Sequence, residues 1–88
     1  MYFIANWKMF GKLSTLISLN KVIKFLKNFK KSNITKIIYC PPSTLIRPMS
    51  KKIINSKIQV GAQNCHESTS YGAATGSVNP TMLKNVGA

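Results

Sequence analysis

Eighty-eight residues allow one small domain, 1–88, with a thin core, and a 44% hydrophobic share is too high for a disordered chain. No apolar run approaches the roughly 20 residues that cross a bilayer, and the opening residues lack the basic region and long apolar stretch of a secretory signal. Thirteen Lys and Arg oppose one acid, Glu67, giving a formal charge of +12; that balance suits nucleic acid or an anionic membrane, yet Arg47 is the only Arg available for bidentate base contacts.

In chain order, residues 2–7 form a continuous apolar run, the pattern of a strand buried on both faces. Gly11 breaks it, and Ser14 offers a helix N-cap. Leu16, Leu19, Ile23, Leu26 and Phe29 then recur at steps of three and four, with Lys24, Lys27 and Lys31 opposite, which predicts an amphipathic helix over 14–31 ended by Ser32-Asn33. Ile37 to Cys40 reads as a second buried strand stopped by Pro41-Pro42. A second helix is expected over 44–55, with Leu45, Ile46, Met49, Ile53 and Ile54 inward and Pro48 tolerable only in the first turn, so the start can be as late as Arg47. A third strand covers 58–63, and residues 64–78 are polar and Gly-rich, a loop. Asn79-Pro80 reads as the N-cap and first residue of a short helix through Leu83 that ends at Gly87. Strands alternating with helices imply an α/β fold with a parallel sheet.

Ligands in such folds gather at the carboxyl ends of the strands. The first end carries Asn6 and Lys8, the second Cys40-Pro41-Pro42, the third Gln63 and Asn64. Strand alternation places Asn6 and Lys8 on one face and Trp7 on the other. There the Lys8 ammonium can hold a phosphate or a developing oxyanion as a point charge. Cys40 and Cys65 match no zinc or redox spacing and read as small thiols, buried or at strand ends, in a reducing compartment. His66 and Glu67 read as loop residues, too few to ligate a metal, and no P-loop is present.

Three blocks in this order, Ile4-Ala5-Asn6-Trp7-Lys8-Met9, Gly61-Ala62-Gln63-Asn64 and Gly72-Ala73-Ala74-Thr75-Gly76, resemble the N-terminal part of the triosephosphate isomerase family. Pro41-Pro42, Pro80-Thr81-Met82-Leu83-Lys84 and Gly87-Ala88 extend the likeness over the whole chain. The resemblance implies parallel β/α units that make about the first three strands of a TIM (β/α)8 barrel. It implies a cytoplasmic isomerase of glycolysis and gluconeogenesis that interconverts D-glyceraldehyde 3-phosphate and dihydroxyacetone phosphate without a cofactor. It makes Asn6 and Lys8 substrate-binding residues, with Lys8 the electrostatic catalyst. It also implies a homodimer in which the 64–78 loop enters the partner, with Gln63, Asn64, Thr75 and Gly76 at the interface and Thr75 buttressing the neighbouring site. The family reaction uses a carboxylate base and a neutral imidazole. In the family both come from later strands, the imidazole from a Gly-His-Ser-like motif after the fourth, so the expectation is a truncated barrel that lacks the catalytic His and Glu. Two residues depart from the family pattern: Phe10 stands where Asn usually follows the Met, and Ser77 where an acid usually follows Thr-Gly.

The rival reading is a non-enzymatic Lys-rich polypeptide whose helix 14–31 binds nucleic acid or anionic lipid. A basic binder has no need of Asn6, Gln63 or Thr75, so the isomerase reading carries no nucleic acid or membrane partner. The Lys excess then has a compositional source: Lys, Ile and Asn share A/T-rich codons, and acidic sequence can lie beyond Ala88.

Overall fold

The structure, a computed structural model, describes all 88 residues. Three strands, β1 (Tyr2–Asn6), β2 (Lys36–Cys40) and β3 (Ile58–Val60), form one sheet in the order β1-β2-β3. Both pairings are parallel, with Phe3 opposite Ile37 and Tyr39 opposite Val60. The helices are α1 (Leu19–Asn28), α2 (Ile46–Lys52) and α3 (Pro80–Asn85). Short 3-10 segments, Leu13–Ser18 and Ser43–Leu45, lead into α1 and α2. This is the expected series of parallel β/α units, in an open three-stranded sheet.

The core lies on one face of the sheet. Leu16, Leu19 and Leu26 meet Ile46, Met49 and Ile53, with Ile58, Val60 and Leu83 completing the cluster. Register and period place Ile37, Tyr39, Ile58 and Val60 toward the helices and Ile4, Ile38 and Gln59 on the opposite face. Thirteen of 88 residues are buried, so the apolar stabilisation, about 1.5–3 kcal/mol per buried large side chain, rests on few residues.

Four expectations need correction. β1 is not buried on both faces: Phe3 is 54% and Ile4 64% exposed, because β1 is an edge strand and the second face of the sheet has no packed layer. The first helix does not begin at Ser14 or run to residue 31. The chain enters a 3-10 segment after Lys12, whose backbone N–H donates to Thr15 Oγ1 at 3.1 Å. Phe29 is already extended, with ψ 117°. Lys57 Nζ then donates to Ser32 Oγ and Asn33 Oδ1, both at 2.7 Å, and ties that turn to the start of β3. The second helix ends at Lys52 rather than residue 55; Asn55 takes φ +64°, a left-handed conformation that Asn tolerates, and Ile54 is 73% exposed rather than inward. The ladder of β3 stops at Val60, after a final bond from Gly61 N to Tyr39 O at 2.8 Å, not at Gln63.

The end of the chain matches its reading. Asn79 caps α3, its Oδ1 accepting from Met82 N at 2.8 Å, with Pro80 as the first helical residue. Gly87 N donates to Lys84 O and Ala88 N to Leu83 O, both at 3.1 Å, with Gly87 at φ +106°. That bonding is a Schellman motif.

Candidate active site

Lys8 lies just past the carboxyl end of β1, and its geometry is not an extension of the strand. Trp7 N still reaches Cys40 O at 3.0 Å; Lys8 then turns into the left-handed region, φ +55°. For an L-residue that conformation costs about 1–2 kcal/mol, so it persists only where neighbours hold it. Asn6 Oδ1 accepts from Lys8 N at 2.7 Å, closing an Asx turn. Gln63 Nε2 donates to Lys8 O and to Cys40 O, both at 2.9 Å. The backbone of Lys8 is thus fixed at its N–H by β1 and at its C=O by the segment after β3. The alternation argument that put Asn6 and Lys8 on one face fails, since the strand period ends at Asn6. What links the two residues is a hydrogen bond.

The Lys8 side chain is exposed, and its ammonium has no hydrogen-bond or ion-pair partner within the chain. Met9, 99% exposed, and Phe10, 69% exposed, follow it. Trp7 packs inward against Tyr39, edge to face at 5.9 Å between centroids. A lysine whose backbone is fixed at the carboxyl end of a parallel sheet can offer its ammonium to a phosphate or a developing oxyanion.

Gln63 has a second placement. With Asn64, Gly76, Ser77, His66 and Leu83 it lines a cavity of about 380 Å³ between the 64–78 loop, the start of α2 and Leu83 of α3. Gln63, Asn64 and Gly76 therefore share one wall system, and Gln63 alone joins it to Lys8. Thr75 stands apart, exposed, in a turn closed by Ser77 N to Ala74 O at 3.2 Å. Gly76 occupies the third position of that turn at φ +80°, the value a type II turn requires of a glycine. His66 is a loop residue: its N–H donates to Val78 O at 2.8 Å, and its Nδ1 accepts from Ser68 N at 3.0 Å. Cys40 ends β2 half-buried, whereas Cys65 is exposed; both are free thiols. The bridging role of Gln63 was missed in the sequence because it depends on three strand ends meeting, which no local pattern encodes.

One consequence is measurable. Gln63→Leu removes the donor shared by two carbonyls, so the urea midpoint of the chain is expected to fall by the equivalent of about 1–2 kcal/mol. A midpoint equal to that of the parent chain would show that the bridge contributes nothing.

No helix is long and apolar enough to cross a membrane. The family model for triosephosphate isomerase matches residues 1–88. The chain is 41% identical over 84 residues to the triosephosphate isomerase of Granulibacter bethesdensis, covering 96% of this chain and 33% of that protein. It is 38% identical over 84 residues to that of Wolbachia pipientis, with 96% and 32% covered. The crystal structure of triosephosphate isomerase from Bartonella henselae superposes with a TM-score of 0.84 at 30% identity, over 99% of this chain and 34% of that one. The chain spans about a third of the length of the relatives it matches.

Proposed function

The chain belongs to the triosephosphate isomerase family, and from that membership we propose that it supplies the first third of an isomerase acting on a triose phosphate. Asn6 and Lys8 bind the substrate, and Lys8 stabilises the negative charge that develops on the substrate oxygen as a proton moves between adjacent carbons. The observation that carries this reading is the seating of Lys8. A left-handed residue held at both its N–H and its C=O presents an unpaired ammonium where this fold class binds ligands. The backbone strain is explained if it aims the cation before substrate arrives.

The test is a chimera. This chain replaces the matching first third of the Granulibacter bethesdensis relative, and turnover of glyceraldehyde 3-phosphate is followed in a coupled assay. Turnover above that of a control carrying a scrambled 1–88 segment supports the proposal; a folded chimera without turnover opposes it. The 88-residue chain alone is expected to show no turnover above the uncatalysed rate. Its one carboxylate, Glu67, is exposed on the 64–78 loop, remote in sequence from Lys8. Enzyme-like turnover by the bare chain would mean that another group serves as base.

The same reading makes the assembled protein a cytoplasmic homodimer, with the 64–78 loop docking into a second copy and Thr75 reaching the partner's Asn6 and Lys8 region. What supports it is the exposed turn at 74–77 and its small, uncharged residues. Deleting residues 70–76 in the chimera should give monomers with activity reduced at least tenfold. Sedimentation that still reports a tight dimer after the deletion would remove the docking assignment.

A further inference from the structure

Fifteen residues without helix or strand, 64–78, are longer than most connections inside a compact domain. Such a segment is usually ordered by something outside its own sequence. Here the residue at its far end, Asn79, grips it through its side chain. Asn79 is 5% exposed, one of two buried polar residues in the chain. Its Oδ1 accepts from Met82 N at 2.8 Å and so caps α3. Its Nδ2 donates back into the loop, to Ser70 O at 3.2 Å and more weakly to Thr69 O at 3.4 Å. The orientation of the amide follows from this geometry: turning it over would set an NH2 against the Met82 N–H and an oxygen against two carbonyls. One acceptor and two donors are thus all used. Thr81 Oγ1 adds a bond to Thr69 O at 3.1 Å, and His66 N to Val78 O closes the neck of the loop at 2.8 Å.

We infer that Asn79 is the positioning residue of the 64–78 loop: its oxygen caps α3 while its nitrogen clamps the loop at residues 69 and 70, so the loop is formed before a partner meets it. The inference rests on the reading of this loop as the element that docks on a second copy. A loop already ordered loses less conformational freedom on docking, which strengthens association without any new contact. Serine and aspartate can also cap a helix, so the cap alone does not call for an amide. The two loop carbonyls do, because only the amide supplies both an acceptor and a pair of donors.

Cap and clamp can be separated. Asn79→Ser keeps a capping oxygen but is too short to reach the loop. Asn79→Asp keeps the acceptor, favoured beside a helix start, and loses both donors. Amide exchange by NMR on the 88-residue chain is expected to leave Met82 protected in both variants, while Ser68 and Ser70 exchange about threefold to tenfold faster. If Ser68 and Ser70 keep their protection in the Asp variant while Met82 stays protected, the clamp is refuted. Parent loop amides that exchange at unprotected rates refute it as well. Sedimentation of the same variants in the chimera addresses the docking reading separately. Loosening of the loop with unchanged self-association leaves the clamp standing and removes the docking role, whereas a matched loss of dimer supports both.

Discussion

Replacing Lys8 by Ala in the active chimera is expected to lower kcat/KM for the triose phosphate by about 10²- to 10³-fold, or roughly 3–4 kcal/mol of transition-state stabilisation. The size follows from preorganisation. The ammonium belongs to a residue whose backbone is clamped by Asn6 at 2.7 Å and by Gln63 at 2.9 Å, so the point from which the side chain reaches the substrate is set before the reaction. Folding is a separate matter: Ala and Lys are similarly disfavoured at φ +55°, so the substitution should leave the unfolding midpoint nearly unchanged. Activity and stability are therefore expected to part, and the loss should fall mainly on kcat if Lys8 acts on charge that appears only in the transition state. A loss below tenfold in a folded chimera would reduce Lys8 to a surface lysine.

The seating of Lys8 also marks where sequence reading runs out. Which strand ends carry polar groups was visible at once, because apolar runs at 2–5, 37–40 and 58–60 stop abruptly in amides, prolines and a lysine. How Asn6 and Lys8 relate is not legible from alternation, because a period of two holds only while the strand continues and Lys8 is already left-handed. The signal that could have corrected it is the Asn two residues before Lys8, an Asx-turn spacing. In the sequence Gln63 reads as a strand-end amide and, by the family resemblance, as an interface residue. Its bridge to Lys8 O and Cys40 O spans 55 and 23 residues of sequence, beyond any window-based argument.

Helix faces were legible and helix ends were not. Leu16, Leu19, Leu26, Ile46, Met49 and Ile53 are buried as their spacing implies, since a three- and four-residue step points inward whether the turn is 3-10 or α. The stop after Asn28 comes from distant partners, Lys57 gripping Ser32 and Asn33, and periodicity continues past it regardless. From composition alone the first strand reads as doubly buried. Burial is a property of neighbouring layers, and Phe3 and Ile4 lie on an edge with only one layer beside it. Asn79 was recognised as a cap from its place before Pro80; its second grip, on the loop, is again non-local.

Gly87→Ala is expected to be the most damaging single methyl that can be added to the chain. Two costs combine at this position. Gly87 sits at φ +106°, which an L-residue adopts only with strain of about 1–2 kcal/mol or more, and it cannot relax, because its N–H and that of Ala88 close the helix end on Lys84 O and Leu83 O. The second cost is steric. A Cβ at residue 87 would collide with Ser50 Cβ and lie 2.5 Å from Ser50 Oγ. Ser50 cannot swing away freely, since its one hydroxyl hydrogen is shared between Arg47 O at 2.8 Å and Val86 O at 3.0 Å, and moving the Cβ means moving α2. Forcing the two helices apart adds about 1–3 kcal/mol by the usual overpacking penalty. The sum, about 3 kcal/mol, is a large part of what a domain with so thin a core has to lose. The urea midpoint of the variant should therefore fall sharply, with loss of helical signal at ambient temperature. Adding Ser50→Gly removes the colliding atoms but not the backbone strain, so the double variant should recover more stability than Ser50→Gly alone predicts by addition. A double variant that shows no such coupling would mean that α2 and α3 do not pack against each other through these two residues.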